Sequence, residues 1–189
     1  IDHFSNFDGI FRHQIGSGEK IVICGPKNIH QQIEARLRSY TWNLIDENAI
    51  EYEIREIVSK EEINVYKLCP PHWNLELITT QNFLFEDEYV NVDFAILDHK
   101  TDSIAYLFKE KDSVTFNENG SEFKKGKWIN ELKTAFENND SDKEIQIEET
   151  VYKASDLFHL LTKNAGYKLG VIMDHAVCKD NYEKIKTVF

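Results

Sequence analysis

Apolar residues recur at intervals of three and four at Phe4, Phe7, Phe11 and Ile15, a helical stripe that stops at Gly16-Ser17-Gly18. Residues 20–24 read as a short strand ending at Gly25-Pro26. Asn28 reads as the cap of a helix with Ile29, Ile33, Leu37 and Tyr40 on one face. Strand, turn and helix in that order make a βα unit of an α/β or α+β fold. Residues 52–57, 64–68 and 75–80 are expected strands. The period changes to two at Val90, Val92, Phe94 and Ile96, and again at Ile104, Tyr106 and Phe108. That alternation predicts an antiparallel pair over 90–97 and 103–109. Helices are expected at 128–136 and from a Ser155 cap through Leu161, on either side of an acidic loop at 137–143. Residues 168–173 form the last expected strand, with Asp174 at its C-terminal end. Asp180-Asn181-Tyr182-Glu183 reads as a helix start with a carboxylate cap.

Composition narrows the function classes. A chain of 189 residues with 41% hydrophobic and 29% charged positions is a folded one, expected as a single domain over 1–189. No apolar run approaches the roughly 20 residues of a membrane span. The formal net charge of -11 argues against coating nucleic acid by bulk electrostatics, because phosphate binding needs clustered cations. The local cationic candidates are Lys27, Arg36, Arg38 and Lys124-Lys125-Lys127. Cys24, Cys69 and Cys178 are widely spaced and form no C-x-x-C pair. Neither a disulfide framework nor a zinc ribbon is therefore expected, and a reducing, cytoplasmic location fits. The chain opens on Ile1 and stops soon after a helix start, and it is expected to be the middle of a longer protein.

Three acid–histidine pairs stand where chemistry could be done: Asp2-His3 before the first helix, Asp98-His99 where a strand runs out, and Asp174-His175 at the end of the last strand. Open α/β scaffolds present their sites at strand ends, and imidazole with carboxylate suits zinc, manganese or iron. Seven histidines among 33 acids also produce such neighbours by chance, as capped turns. His13, His30, His72 and His159 are expected to be surface or packing residues.

Taken in order, these stretches resemble the metallo-β-lactamase superfamily. Ile1-Asp2-His3 is similar to the end of its H-x-H-x-D-H signature. Gly25-Pro26-Lys27-Asn28-Ile29 resembles the G-P-x-x-I turn of the ribonuclease Z-like, tRNA 3′-processing branch. Residues 91–98 with His99, the return strand 103–108, Gly126-Lys127-Trp128 with Leu132-Lys133, and Val171-Ile172-Met173-Asp174 continue the likeness over nearly the whole chain. The resemblance implies a four-layer αββα sandwich, incomplete at both ends, and a metal-dependent phosphodiester hydrolase acting on the 3′ end of precursor tRNA. It further implies two zinc ions in the complete protein, with manganese or iron as alternatives. Asp2 and His3 would ligate one ion, His99 the other, and Asp174 would bridge them. Asp2 would also position or deprotonate the attacking water. Asp98 and His175 adjoin these residues and are expected either to orient the ligand rings or to serve only as turn residues.

The pattern departs from the family in places. The upstream H-x-H and the downstream histidine motifs are absent from this chain, so the chain alone is expected to be inactive. The Gly-Pro turn is reduced to Lys125-Gly126-Lys127, and no long Gly/Pro-rich tRNA-gripping arm stands out between His99 and Asp174. The expected partners are precursor tRNA or another phosphodiester, with no membrane; a homodimer is compatible. A hydrolase of the same fold acting on a small phosphodiester or other ester, and a non-catalytic binding scaffold, are the alternatives.

Overall fold

The computed structural model describes residues 6–41, 44–118 and 123–189. It is a mixed α/β structure that divides into two compact units. One comprises the chain up to Lys109 together with Lys168–Phe189, and the other is Glu110–Tyr167.

The larger unit begins with α1 (Phe7–Gln14), β1 (Lys20–Pro26), α2 (Ile29–Arg38) and β2 (Glu51–Ile57). β1 and β2 are parallel, Lys20 opposite Glu51 and Pro26 opposite Ile57, and α2 is the crossover that parallel neighbours require. β3 (Ile63–Cys69) and β4 (Asn74–Gln81) extend the sheet antiparallel in the order β1-β2-β3-β4, with a register shift at Val65/Tyr66. Even-numbered Tyr52, Ile54 and Leu68 share a buried cluster with Phe11 of α1 and with Ile29, Ile33 and Leu37 of α2. Tyr52 and Trp73 close this core with Phe11, at ring-centroid distances of 6.0 Å and 5.9 Å from it. Each such side chain stabilises by about 1.5–3 kcal/mol when removed from water.

The opposite face of β2 and β3 meets a second sheet. β5 (Phe85–Glu86), β6 (Val90–Asp98), β7 (Asp102–Glu110) and β12 (Lys168–Val171) lie in the order β12-β7-β6-β5. Ile57 and Ile63 pack with Leu84, Val92, Phe94 and Ile104 between the sheets. Ala95, Leu97 and Ala105 point the other way, against Ile185 and Val188 of α5 (Lys179–Val188). Small residues let α5 lie close: a Cβ on Gly170 of β12 would meet the Phe189 ring at 2.3 Å.

The smaller unit has its own core of Trp128, Leu132, Ile145, Ile147, Leu157 and Leu160, among others. It contains β8 (Ser113–Phe116), α3 (Trp128–Glu137), the hairpin β9 (Glu144–Ile147) and β10 (Thr150–Lys153), α4 (Ala154–Leu157), a 3₁₀ turn at Phe158–Leu160, and β11 (Leu161–Asn164). β8 and β11 pair antiparallel. A discrete body, not a Gly/Pro-rich arm, thus occupies the interval between His99 and Asp174.

Several local expectations change. Asn28 occupies the cap position with a left-handed φ of 70° and makes no side-chain cap; its N–H donates to Glu56 Oε1 at 2.6 Å instead. Ser155 lies inside α4, whose cap position is Lys153. α5 starts after Cys178, one turn before Glu183, and Asp180 pairs with Lys184 at 2.8 Å within it. β12 ends at Val171, so Asp174 sits in the loop beyond the strand. β8, β9, β10 and β11 had no sequence counterpart.

Candidate functional site

A cleft of about 450 Å³ opens in the larger unit where β1, β7 and the loop after β12 meet. Gly25 and Pro26 form one wall. Glycine is required there because a Cβ would lie 2.8 Å from Ile29 Cγ1 at the start of α2. At the cleft's base the Tyr106 hydroxyl donates to the Cys24 carbonyl at 3.1 Å, tying the two sheets together. Burial pushes the Cys24 thiol up to about 11 and the Tyr106 phenol higher still, so both stay protonated at neutral pH. Cys24 therefore offers the cleft a thiol and no thiolate donor.

His99 and Asp174, 75 positions apart in the chain, line this cleft together with Asp102. His99 follows the last residue of β6 in a tight turn. Its N–H donates to the Thr101 carbonyl at 2.9 Å, Lys100 adopts a left-handed φ of 62°, and the Lys100 N–H donates to Asp98 Oδ1 at 2.8 Å. Asp98 thereby acts as the turn-forming carboxylate. Asp174 is exposed and His175 half-buried in the loop leading to α5. Asp2 and His3 lie outside the described residues.

Donor chemistry at the cleft suits a divalent cation, since it brings imidazole and carboxylate to one space. Number does not suffice: among the described residues no group of three or more His, Cys, Asp or Glu gathers to hold a metal. A metal centre in this cleft would need donors beyond His99 and Asp174.

Three of the six cationic candidates are paired within the fold. Arg36 pairs with Asp8, Arg38 with Glu34 at 3.1 Å, and Lys125 with Glu118 at 2.5 Å. A second groove, of about 550 Å³, shares Asp102 with the cleft and carries Lys27, Lys60 and Lys184 beside Asp180 and Glu183.

Sequence reasoning overlooked two buried polar residues. Glu56, 5% exposed, accepts from Asn28 N–H and from the Tyr66 hydroxyl at 3.2 Å, and it lies 3.1 Å from His30 Nδ1 without the alignment of a hydrogen bond. His30 in turn stacks on Tyr66, at 4.2 Å between centroids. Asn181, 1% exposed, joins the His99 and Asp174 segments. Its signal was present: Asn181 shares a helical stripe with Ile185 and Val188, where a polar residue needs a partner.

Over 191 residues the chain is 28% identical to the Ribonuclease Z of Borreliella afzelii (strain PKo). It is similar to a ribonuclease Z. The alignment covers 98% of this chain and 51% of the ribonuclease Z, so the chain spans about half the length of that relative. No protein-family profile matches the chain. No helix among the described residues is long and apolar enough to cross a membrane.

Proposed function

We propose that the chain is part of a metal-dependent phosphodiester hydrolase of the ribonuclease Z type, acting on the 3′ end of precursor tRNA. The observation that carries this reading is the meeting of His99 and Asp174 in one cleft, within a chain similar to a ribonuclease Z along 98% of its length. Helices on one sheet, a shared core between sheets and α5 on the other sheet agree with the αββα sandwich of the metallo-β-lactamase superfamily.

In this mechanism His99 and Asp174 would be among the residues that hold divalent ions, zinc by the donor types with manganese or iron as alternatives, with Asp174 as the carboxylate proposed to be shared by both. When bound, the ions supply Lewis acidity, which acidifies a water and neutralises charge on the phosphoryl oxygens. Asp2 and His3 would add donors, and Asp2 would orient the attacking water and take its proton. The Gly25-Pro26 wall and the Tyr106–Cys24 tie hold the cleft's shape. Lys27 and Lys60, in the neighbouring groove beside Asp180 and Glu183, would meet phosphate charge.

A second reading replaces tRNA by a small phosphodiester. It is favoured by the internal pairing of Arg36, Arg38 and Lys125, which leaves fewer cations to grip a polyanion. The full-length gene product should be assayed on a precursor tRNA and on bis(p-nitrophenyl) phosphate, with metal content measured alongside. His99→Ala and Asp174→Ala should abolish turnover of both, and Asp174→Ala should exceed His175→Ala in effect. Full turnover and metal content in Asp174→Ala would refute the site. Turnover of the small diester without tRNA cleavage would favour the second reading.

A further inference from the structure

Asn181 belongs to the first turn of α5, yet its side chain does not cap that helix. Its Oδ1 accepts the Asp98 N–H at 2.8 Å, and its Nδ2 donates to the Asp98 carbonyl at 2.8 Å and to the Ala176 carbonyl at 2.9 Å. Both amide hydrogens and one oxygen lone pair are thus used, and a flipped amide would set donor against donor. The Asp98 carbonyl also accepts the Ala176 N–H, at 2.7 Å. Three segments therefore meet on one buried side chain: the end of β6, the loop after β12, and α5. The residues it grips flank the cleft, Asp98 adjoining His99 and Ala176 lying two positions beyond Asp174.

This matters because Asp174 lies beyond the last ladder residue of β12, Val171. Sheet pairing fixes the His99 segment up to Asp98, but the Asp174 loop is joined to it through Ala176 and Asn181. We propose that Asn181 is a positioning residue, which sets the separation of His99 and Asp174; this rests on the reading of those two as metal ligands. A ligand pair must be held to a fraction of an ångström to bind a cation well. Loss of a partner that orients ligands lowers metal affinity by about 10–100-fold.

The test uses the full-length protein, Mn²⁺ alone as the probe, and two variants. Asn181→Ala removes all three bonds. Asn181→Leu removes them while matching the apolar stripe of Ile185 and Val188, and so leaves no cavity where alanine would. Both should weaken Mn²⁺ binding by about 10–100-fold, speed amide exchange at Asp98 and Ala176, and lower kcat on precursor tRNA with KM little changed. A folded variant with wild-type Mn²⁺ affinity and kcat would overturn the proposal. So would unfolding of both variants, which would make Asn181 a core residue alone. Two results separate this proposal from the metal reading beneath it. Wild-type protein that binds no Mn²⁺, or binds it equally in His99→Ala and Asp174→Ala, would end both. Binding lost in those two variants but intact in the Asn181 variants would end the positioning role only.

Discussion

Glu56 offers the sharpest test of how the fold builds the cleft wall. Its carboxylate is buried and takes two well-formed hydrogen bonds, from Asn28 N–H at 2.6 Å and Tyr66 hydroxyl at 3.2 Å, with Asn64 Nδ2 at a marginal 3.5 Å. Burial first, and the adjacent carboxylate second, push the Tyr66 phenol up, so it remains a donor. Glu56→Gln keeps size and an acceptor for the Asn28 N–H, while at the other position its NH2 donates to the Tyr66 hydroxyl, which turns to accept; each good bond thereby moves from the charge-assisted class, about 1.5–3 kcal/mol, to the neutral class, about 0.5–1.5 kcal/mol. The expected loss is about 2–3 kcal/mol. Glu56→Ala strands both donors, at about 1–3 kcal/mol each with Asn28 at the low end because solvent can reach it, and adds a cavity. Its expected loss is about 3–6 kcal/mol. Urea unfolding measures both, and amide exchange at Asn28 should quicken first, because that N–H fixes the start of α2 behind Gly25. A Glu56→Gln variant within about 0.5 kcal/mol of wild type, with Asn28 exchange unchanged, would refute the network as the anchor of α2.

Asp8 is held at about 2, against its ordinary 3.8, by hydrogen bonds from Arg36 and then Tyr40. A depressed carboxylate stabilises above its unfolded value and loses that contribution as pH falls through the folded one, so Asp8→Asn should flatten the acid limb of a melting-versus-pH curve between about pH 4 and 2. Cys178 is exposed while burial pushes Cys24 up to about 11; iodoacetamide at pH 8 should label Cys178 quickly and Cys24 only after unfolding, and equal rates would contradict the burial. The ends of the smaller unit meet, Glu110 N–H on the Tyr167 carbonyl at 2.9 Å, and Lys109 lies opposite Lys168 in the β7–β12 pair. Replacing Glu110–Tyr167 by Asn-Gly should therefore leave a folded hairpin, keep small-diester turnover, and remove activity on precursor tRNA if that unit grips it; intact tRNA cleavage would exclude the role.

The parts of the fold legible in the sequence were those with long, uninterrupted periodicity. β6 and β7 alternate over enough residues that Val92, Phe94 and Ile104 declared a buried face; that Ala95, Leu97 and Ala105 are buried too, on the face that α5 covers, is seen only in the fold. The four strands of the smaller unit span four residues each. A strand such as β9 buries only Ile145 and Ile147, too little alternation to separate it from a turn. β12 failed in the opposite sense. Ile172 and Met173 carry apolar letters but are 43% and 45% exposed, so hydrophobicity extended the strand past its last hydrogen bond. The expected caps failed for local reasons: Asn28 takes a left-handed φ of 70°, its N–H held by Glu56 across 28 positions, and Ser155 and Asp180 fall inside helices that start earlier.

The same contrast separates what could be read of the site from what could not. His99 and Asp174 were visible because an acid–histidine pair at a strand end is a local pattern, and two such patterns need only the sheet order to bring them to one cleft. Asn181 was hidden because its meaning is set by Asp98, 83 positions away. Yet a polar residue on the apolar stripe of a helix is itself a local anomaly. Such a residue destabilises unless the fold supplies partners, and partners at a helix face are the ends and loops of the sheet beneath it. In this fold those ends carry the candidate ligands. The position of Asn181 on the stripe with Ile185 and Val188 thus signalled that it needed partners, while only the fold shows that those partners, Asp98 and Ala176, flank the cleft.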